Sequence, residues 1–165
     1  MGHAKLAMLD RDGTLIQDIG RPPHVDEIVL LPGVPQALKR LRHMDYALVV
    51  VTNQSAIARG ELTETEFQAQ MRRLKELLWG ASGVTLDRVY HCPHAVSDRC
   101  PCRKPLPGML VQARADLQPT LKRSTWMLGD DWTDVAAARA AGVRGYQIER
   151  NSGGLFDLVD RGVLK

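Results

Sequence analysis

Aromatic residues make up only 5% of the 165-residue chain, too thin a supply for the stacking platform of a single-strand nucleic-acid binder. No stretch approaches the roughly 18 apolar residues of a membrane span. Residues 1–7 lack the cationic start, long apolar region and small-residue cleavage site of a secretory leader, so a reduced, cytoplasmic setting without membrane contact is the expectation. No long block of one charge sign occurs: 19 acidic residues are interspersed among 22 basic ones, for a formal charge of +3. Charge alone therefore does not point to nucleic acid. Repeats and low-complexity segments are absent too. Cysteine is scarce but clustered: Cys92, Cys100 and Cys102 are the only three, and an odd, tight cluster reads as metal ligands before disulfides.

What remains is the composition of an ordinary globular protein, 44% hydrophobic and 25% charged. One domain over residues 1–165 is expected, burying roughly 70% of its unfolded surface without a disulfide. Strand signals fall at Lys5–Leu9, Tyr46–Val51, Leu86–His91, Thr125–Leu128 and Gly145–Ile148; the β-branched run YALVVV suits a strand buried on both faces. Helical spacing runs between them. Val34, Leu38 and Leu41 recur after Gly33; Phe67, Met71, Leu74 and Leu78 follow a capping box at Thr63 and Glu66. Further helices begin near Pro107 and at Thr133, and Leu155, Phe156, Leu158 and Val159 form a short amphipathic tail. The alternation predicts an α/β fold, a doubly wound parallel sheet of Rossmann-like type. Ligands of such sheets bind beyond the carboxyl ends of the strands.

After the first strand, Asp10 and Asp12 point the same way because the side-chain period is two, and Gly13 allows a sharp turn. Carboxylates so close require a cation or a shared proton, although solvated acidic turns are common. Thr52-Asn53-Gln54-Ser55 places hydroxyls and amides at the end of the second strand. The run from Gly129 to Asp134 adds Asp130, Asp131 and Asp134 after the fourth. Asp131 or Thr133 caps the next helix, but capping cannot occupy all three acids. Arg103-Lys104 is either a solvated basic pair or a phosphate clamp facing the acids with Mg²⁺ between them, and the clustering at successive strand ends favours the clamp. Cys92-Pro93-His94 and Cys100-Pro101-Cys102 offer three sulfurs and one imidazole, a full tetrahedral set for a closed structural Zn²⁺. Such an ion would position Arg103-Lys104 without doing chemistry. His91 is out of register and is read as structural.

The ordered motifs DRDGT, TNQS, RKP and GDDxxD resemble the haloacid dehalogenase superfamily of aspartate-nucleophile phosphohydrolases. TNQSAIARG and CPH…CPCRKPLPGML are similar to its zinc-loop members, which act on a heptose bisphosphate or on histidinol phosphate. The resemblance implies a magnesium-dependent phosphomonoesterase with Asp10 as nucleophile and Asp12 as general acid and base. Mg²⁺ would be held by Asp10, by Asp12 through its backbone carbonyl, and by Asp130. Asp131, where relatives often carry a non-acidic residue, is a water-mediated ligand or the helix cap. Thr52, Asn53, Ser55 and Lys104 would hold the phosphate.

Ala56 departs from the glycine usual in the heptose enzymes. No insert is large enough for a cap domain, so Leu15–Ile28 and the zinc loop at 92–102 border the pocket. Specificity then falls to Asp18, Arg21, Arg59 and Arg103, the three arginines suiting a second anionic group. The favoured substrate is D-glycero-D-manno-heptose 1,7-bisphosphate, hydrolysed at the 7-phosphate by a monomer. Histidinol phosphate is the alternative, since the five-residue gap between His94 and Cys100 suits it. A non-catalytic zinc-loop protein that binds nucleic acid or a partner is a third reading, against which the intact Asp10, Asp12, Lys104 and Asp130 count.

Overall fold

A computed structural model describes residues 3–121 and 124–164. The most apolar segment becomes an interior strand: β2 (Tyr46–Asn53) is buried from Tyr46 to Thr52, because parallel strands are covered on both faces. It pairs in parallel with β1 (Lys5–Leu9), Lys5 lying opposite Tyr46 and Leu9 opposite Val50. On the far side of β1, β4 (Thr125–Gly129) sets Leu6 against Thr125 and Leu9 against Leu128. β3 (Arg88–Cys92) adds to β2 and β5 (Arg144–Gln147) to β4, giving the parallel order β3-β2-β1-β4-β5. The chain runs outward from β1 to β3, returns, and runs outward again through β4 and β5. The connections thus diverge at the carboxyl ends of β1 and β4, where doubly wound sheets leave a crevice.

Alternation along the strands divides the core in two. Ala7, Leu9, Leu48, Val50, Trp126 and Leu128 face α1 (Val34–His43), α2 (Glu64–Ser82) and α5 (Gly154–Asp160). Leu6, Met8, Val49, Val51 and Met127 face α3 (Gly108–Leu117) and α4 (Trp132–Ala140). In α2 the expected stripe Phe67, Met71, Leu74 and Leu78 is buried. Its capping box forms as expected: Thr63 Oγ1 accepts the Glu66 N–H at 3.1 Å and the Glu66 carboxylate accepts the Thr63 N–H at 2.7 Å. Strand bounds differ from expectation by a residue or two, since a strand ends where its ladder bonds end; Leu86, for example, is buried ahead of β3. No described helix is long and apolar enough to cross a membrane.

The amphipathic tail has a definite seat. α5 buries Leu155 and Val159, and Arg40 of α1 pairs with Asp160. Gly33 has φ of +74°, and a Cβ there would lie 2.6 Å from the Phe156 side chain. Gly33→Ala therefore combines backbone strain with overlap at the α1–α5 contact. It is expected to lower unfolding free energy by at least about 1 kcal/mol, read as a lower denaturant midpoint with unchanged slope.

Candidate active site and metal cluster

The two central strands end in carboxylates brought together by glycines. The Asp10 N–H donates to Leu128 O at 2.9 Å, tying the turn after β1 to β4. Gly13 has φ of +77°, and a Cβ there would stand 2.7 Å from Asp130 Oδ2, so only glycine lets this turn approach the end of β4 so closely. A Cβ on Gly129 would meet Asp134 Oδ2 at 2.0 Å. Asp134, on the first turn of α4, therefore folds back under the strand end, where it is 1% exposed.

Lys104, 3% exposed, joins these acids. Its ammonium donates to Asp10 Oδ1 at 2.8 Å, to Asp134 Oδ1 at 2.6 Å and to Val51 O at 2.8 Å, which uses all three of its protons. Asn53 fixes the Lys104 backbone from both sides, accepting its N–H and donating to its carbonyl, each at 3.0 Å. Burial, partly offset by Lys104 and reinforced by Asp134, pushes the Asp10 carboxyl up to about 6. Burial and the neighbouring Asp10 likewise raise Asp130, against the pull of Arg150. Burial acts to lower Lys104, but the two carboxylates outweigh it and hold the group above its ordinary value. Oxygens of Asp10, Asp130 and Asp134 lie within 4.8 Å of one another. Three such hard donors around one buried ammonium leave net negative charge, a set that fits Mg²⁺.

Asp12, expected at the ion through its backbone carbonyl, has its carboxylate bonded to other side chains, and of the two roles left open for Asp131 the helix cap is the one formed. Asp131 Oδ1 accepts the Thr133 N–H at 2.8 Å and caps α4. The Asp12 carboxylate is gripped by Arg11 at 2.9 and 3.0 Å and by Gln54 Nε2 at 2.9 Å. Arg11 is 2% exposed, bonded to Gln70 Oε1 at 2.7 Å and stacked on Phe67. Gln54 also donates to Thr52 Oγ1 at 3.0 Å. Sequence reasoning missed this network, although a charged residue directly after a buried strand was a signal that it needed partners.

A cavity of about 600 Å³ opens above the acids, and Asp12, Asp18, Thr52, Asn53 and Arg103 line it as expected. Arg21, Ser55 and Arg59 instead line a neighbouring cleft of about 180 Å³ that shares Asp12, Asp18 and Asn53. There Arg21 is paired with Glu27 at 2.6 Å, and Arg59 with Glu61 at 2.7 Å and Ser55 Oγ at 2.9 Å. Arg150, unanticipated, bridges Asp130 Oδ2 at 2.5 Å and Asp18 Oδ2 at 3.1 Å. The next residue, Asn151, holds the Asp18 backbone at 2.8 and 3.0 Å.

The cysteine loop closes on itself. Cys92, Cys100 and Cys102 Sγ lie 3.3 to 3.5 Å apart, and His94 Nδ1 is 3.3 Å from Cys102 and 3.6 Å from Cys92. A tetrahedron of ~2.3 Å zinc–sulfur bonds has edges of about 3.8 Å, so the four donors, all within 4.8 Å of one another, fit one ion. Burial pushes the Cys92 thiol up to about 12, so a bound cation is what would hold it as thiolate. The loop rests on α3, where a Cβ on Gly108 would meet Pro101 O at 2.4 Å. His91 lies outside the cluster, bonded to Glu64 at 3.0 Å and packed on Phe67.

Residues 23–142 match the family of haloacid dehalogenase-like hydrolases. The chain is 42% identical over 146 residues to a Haemophilus ducreyi protein named D-glycero-beta-D-manno-heptose-1,7-bisphosphate 7-phosphatase, covering 85% of this chain and 80% of that one. A Yersinia pestis protein of the same name is 42% identical over 144 residues, covering 82% and 74%. The crystal structure of D,D-heptose 1,7-bisphosphate phosphatase from B. bronchiseptica, complexed with magnesium and phosphate, superposes with a TM-score of 0.86 at 30% identity, covering 96% and 98%. From the cluster geometry, elemental analysis should find one zinc per chain, and Cys100→Ser should lose it and lower the melting temperature.

Proposed function

The chain belongs to the haloacid dehalogenase-like hydrolases, and from that premise we propose that it is a magnesium-dependent phosphomonoesterase removing the 7-phosphate of D-glycero-β-D-manno-heptose 1,7-bisphosphate. The observation that carries the reaction class is the Asp10 carboxylate, held at 2.8 Å by the buried Lys104 ammonium at the floor of an open cavity. Such a carboxylate is fixed, oriented and partly neutralised, as a nucleophile toward an anionic phosphate must be. The substrate rests on the names of the relatives and on the magnesium and phosphate of the B. bronchiseptica complex. Three free thiols gathered where they could share one ion favour the cytoplasm as the compartment.

In this mechanism an Asp10 oxygen attacks phosphorus in line, the bond from phosphorus to the sugar oxygen breaks, and an aspartyl phosphate forms. Asp12 gives its proton to the leaving alkoxide. It then takes one from the water that attacks the acyl phosphate, which releases inorganic phosphate and restores Asp10. The Arg11 and Gln54 bonds to Asp12 orient it for both steps. Asp10, Asp130 and the Asp12 carbonyl would hold Mg²⁺, which supplies charge neutralisation between phosphate and nucleophile and on the equatorial oxygens. Asp134 anchors Lys104, and Asp131 is assigned to the helix cap. Thr52 and Lys104, which line the cavity, would hold the phosphate. Because Cys102 leads directly into Arg103-Lys104, an ion in the loop would fix where this ammonium arrives.

Asp10→Asn is expected to abolish turnover in a protein with native circular dichroism. Asp12→Asn should slow phosphate release about 10²- to 10⁴-fold; a normal rate would reject its role. Removing zinc while magnesium is retained should lower activity, and a verified zinc-free protein with full activity contradicts the positioning role. Side-by-side kinetics should give a higher kcat/KM for the heptose bisphosphate than for histidinol phosphate; the reverse order overturns the substrate.

A further inference from the structure

The cavity floor is acidic, yet part of its wall is apolar and exposed. Trp132 is 63% exposed, Val96 74% and Leu106 47%, and all three line the same cavity. They come from separate segments: the first residue of α4, the zinc loop, and the turn after Lys104. Trp132 belongs to neither hydrophobic cluster, so core packing does not account for it. Its backbone is nevertheless tightly held. Asp131 caps the Thr133 N–H at 2.8 Å, and Asp134 Oδ2 accepts the Asp131 N–H at 3.1 Å. The indole therefore projects from a turn pinned on both sides by acids of the site. Arg99 and Arg103 line the same cavity and supply positive charge there.

We infer that Trp132, with Val96 and Leu106, is a platform for the leaving group, selecting phosphomonoesters whose leaving group is a sugar ring. A pyranose offers a face of C–H groups and a rim of hydroxyls. The electron-rich indole face packs against the former, while Arg99 and Arg103 meet an anionic substituent on the ring. In a phosphatase without an inserted cap, this wall takes over the reading of the leaving group. The inference rests on the proposed sugar bisphosphate activity.

The test compares kcat/KM for the heptose bisphosphate and for acetyl phosphate, which has no ring, in wild type, Trp132→Ala and Trp132→Phe. Trp132→Ala should lose about 10-fold on the bisphosphate and less than about 2-fold on acetyl phosphate, with Trp132→Phe between. As a direct binding readout, the bisphosphate should change indole emission in Asp10→Asn. That change should vanish when Trp132→Phe is added and persist when Trp79→Phe is added, because Trp79 is exposed on α2 and does not line the cavity. A wild type that turns over acetyl phosphate but not the bisphosphate overturns the substrate reading and the platform with it. A wild type that turns over both, with Trp132→Ala losing equally on both or on neither, overturns the platform alone.

Discussion

The ammonium of Lys104 is the contact on which the site depends. It is the only cation bonded to the two buried carboxylates Asp10 and Asp134 among the described residues, and its third proton anchors it to Val51 at the end of β2. Removing one partner from a buried ion pair costs about 3 to 5 kcal/mol, and here two carboxylates share the one partner. Burial alone pushes the Asp10 carboxyl upward, and Lys104 works against that push. One residue thus joins the fold to the chemistry, since the bonds that seat Lys104 also place the oxygen proposed to attack phosphorus.

Several features exist to bring that ammonium and those acids together. The strand order places the ends of β1 and β4 side by side, and Gly13 and Gly129 let the acids approach where any Cβ would collide. Lys104 comes from a connection with little apolar content of its own. Asn53 on one side and the Cys/His cluster on the other locate that connection. A structural ion remote from the reacting atoms can in this way set the geometry of catalysis.

The fold was largely legible because its signals are local. The β-branched run of β2, the stripe and capping box of α2 and the acids at strand ends each depend on a few neighbouring residues, and the structure places them as expected. Side-chain pairing across the chain was not legible. Arg21 and Arg59, expected to suit a second anionic group, are paired with Glu27 and Glu61, and such pairings depend on how a loop turns. Arg150 bridges Asp18 and Asp130 from residues far apart in sequence, and the Arg11–Gln70 bond crosses from the turn after β1 to α2. Asp134 was visible as one of three acids, but its burial under Gly129 needed the three-dimensional turn.

The most direct test of the central claim is to trap the phosphoenzyme. In a rapid-quench single turnover with the heptose bisphosphate, mass spectrometry should find one phosphoryl group on the peptide carrying Asp10, rising and then decaying as inorganic phosphate appears. Phosphate release with no phosphoenzyme at any time, or a phosphoryl group on another residue, would contradict the account.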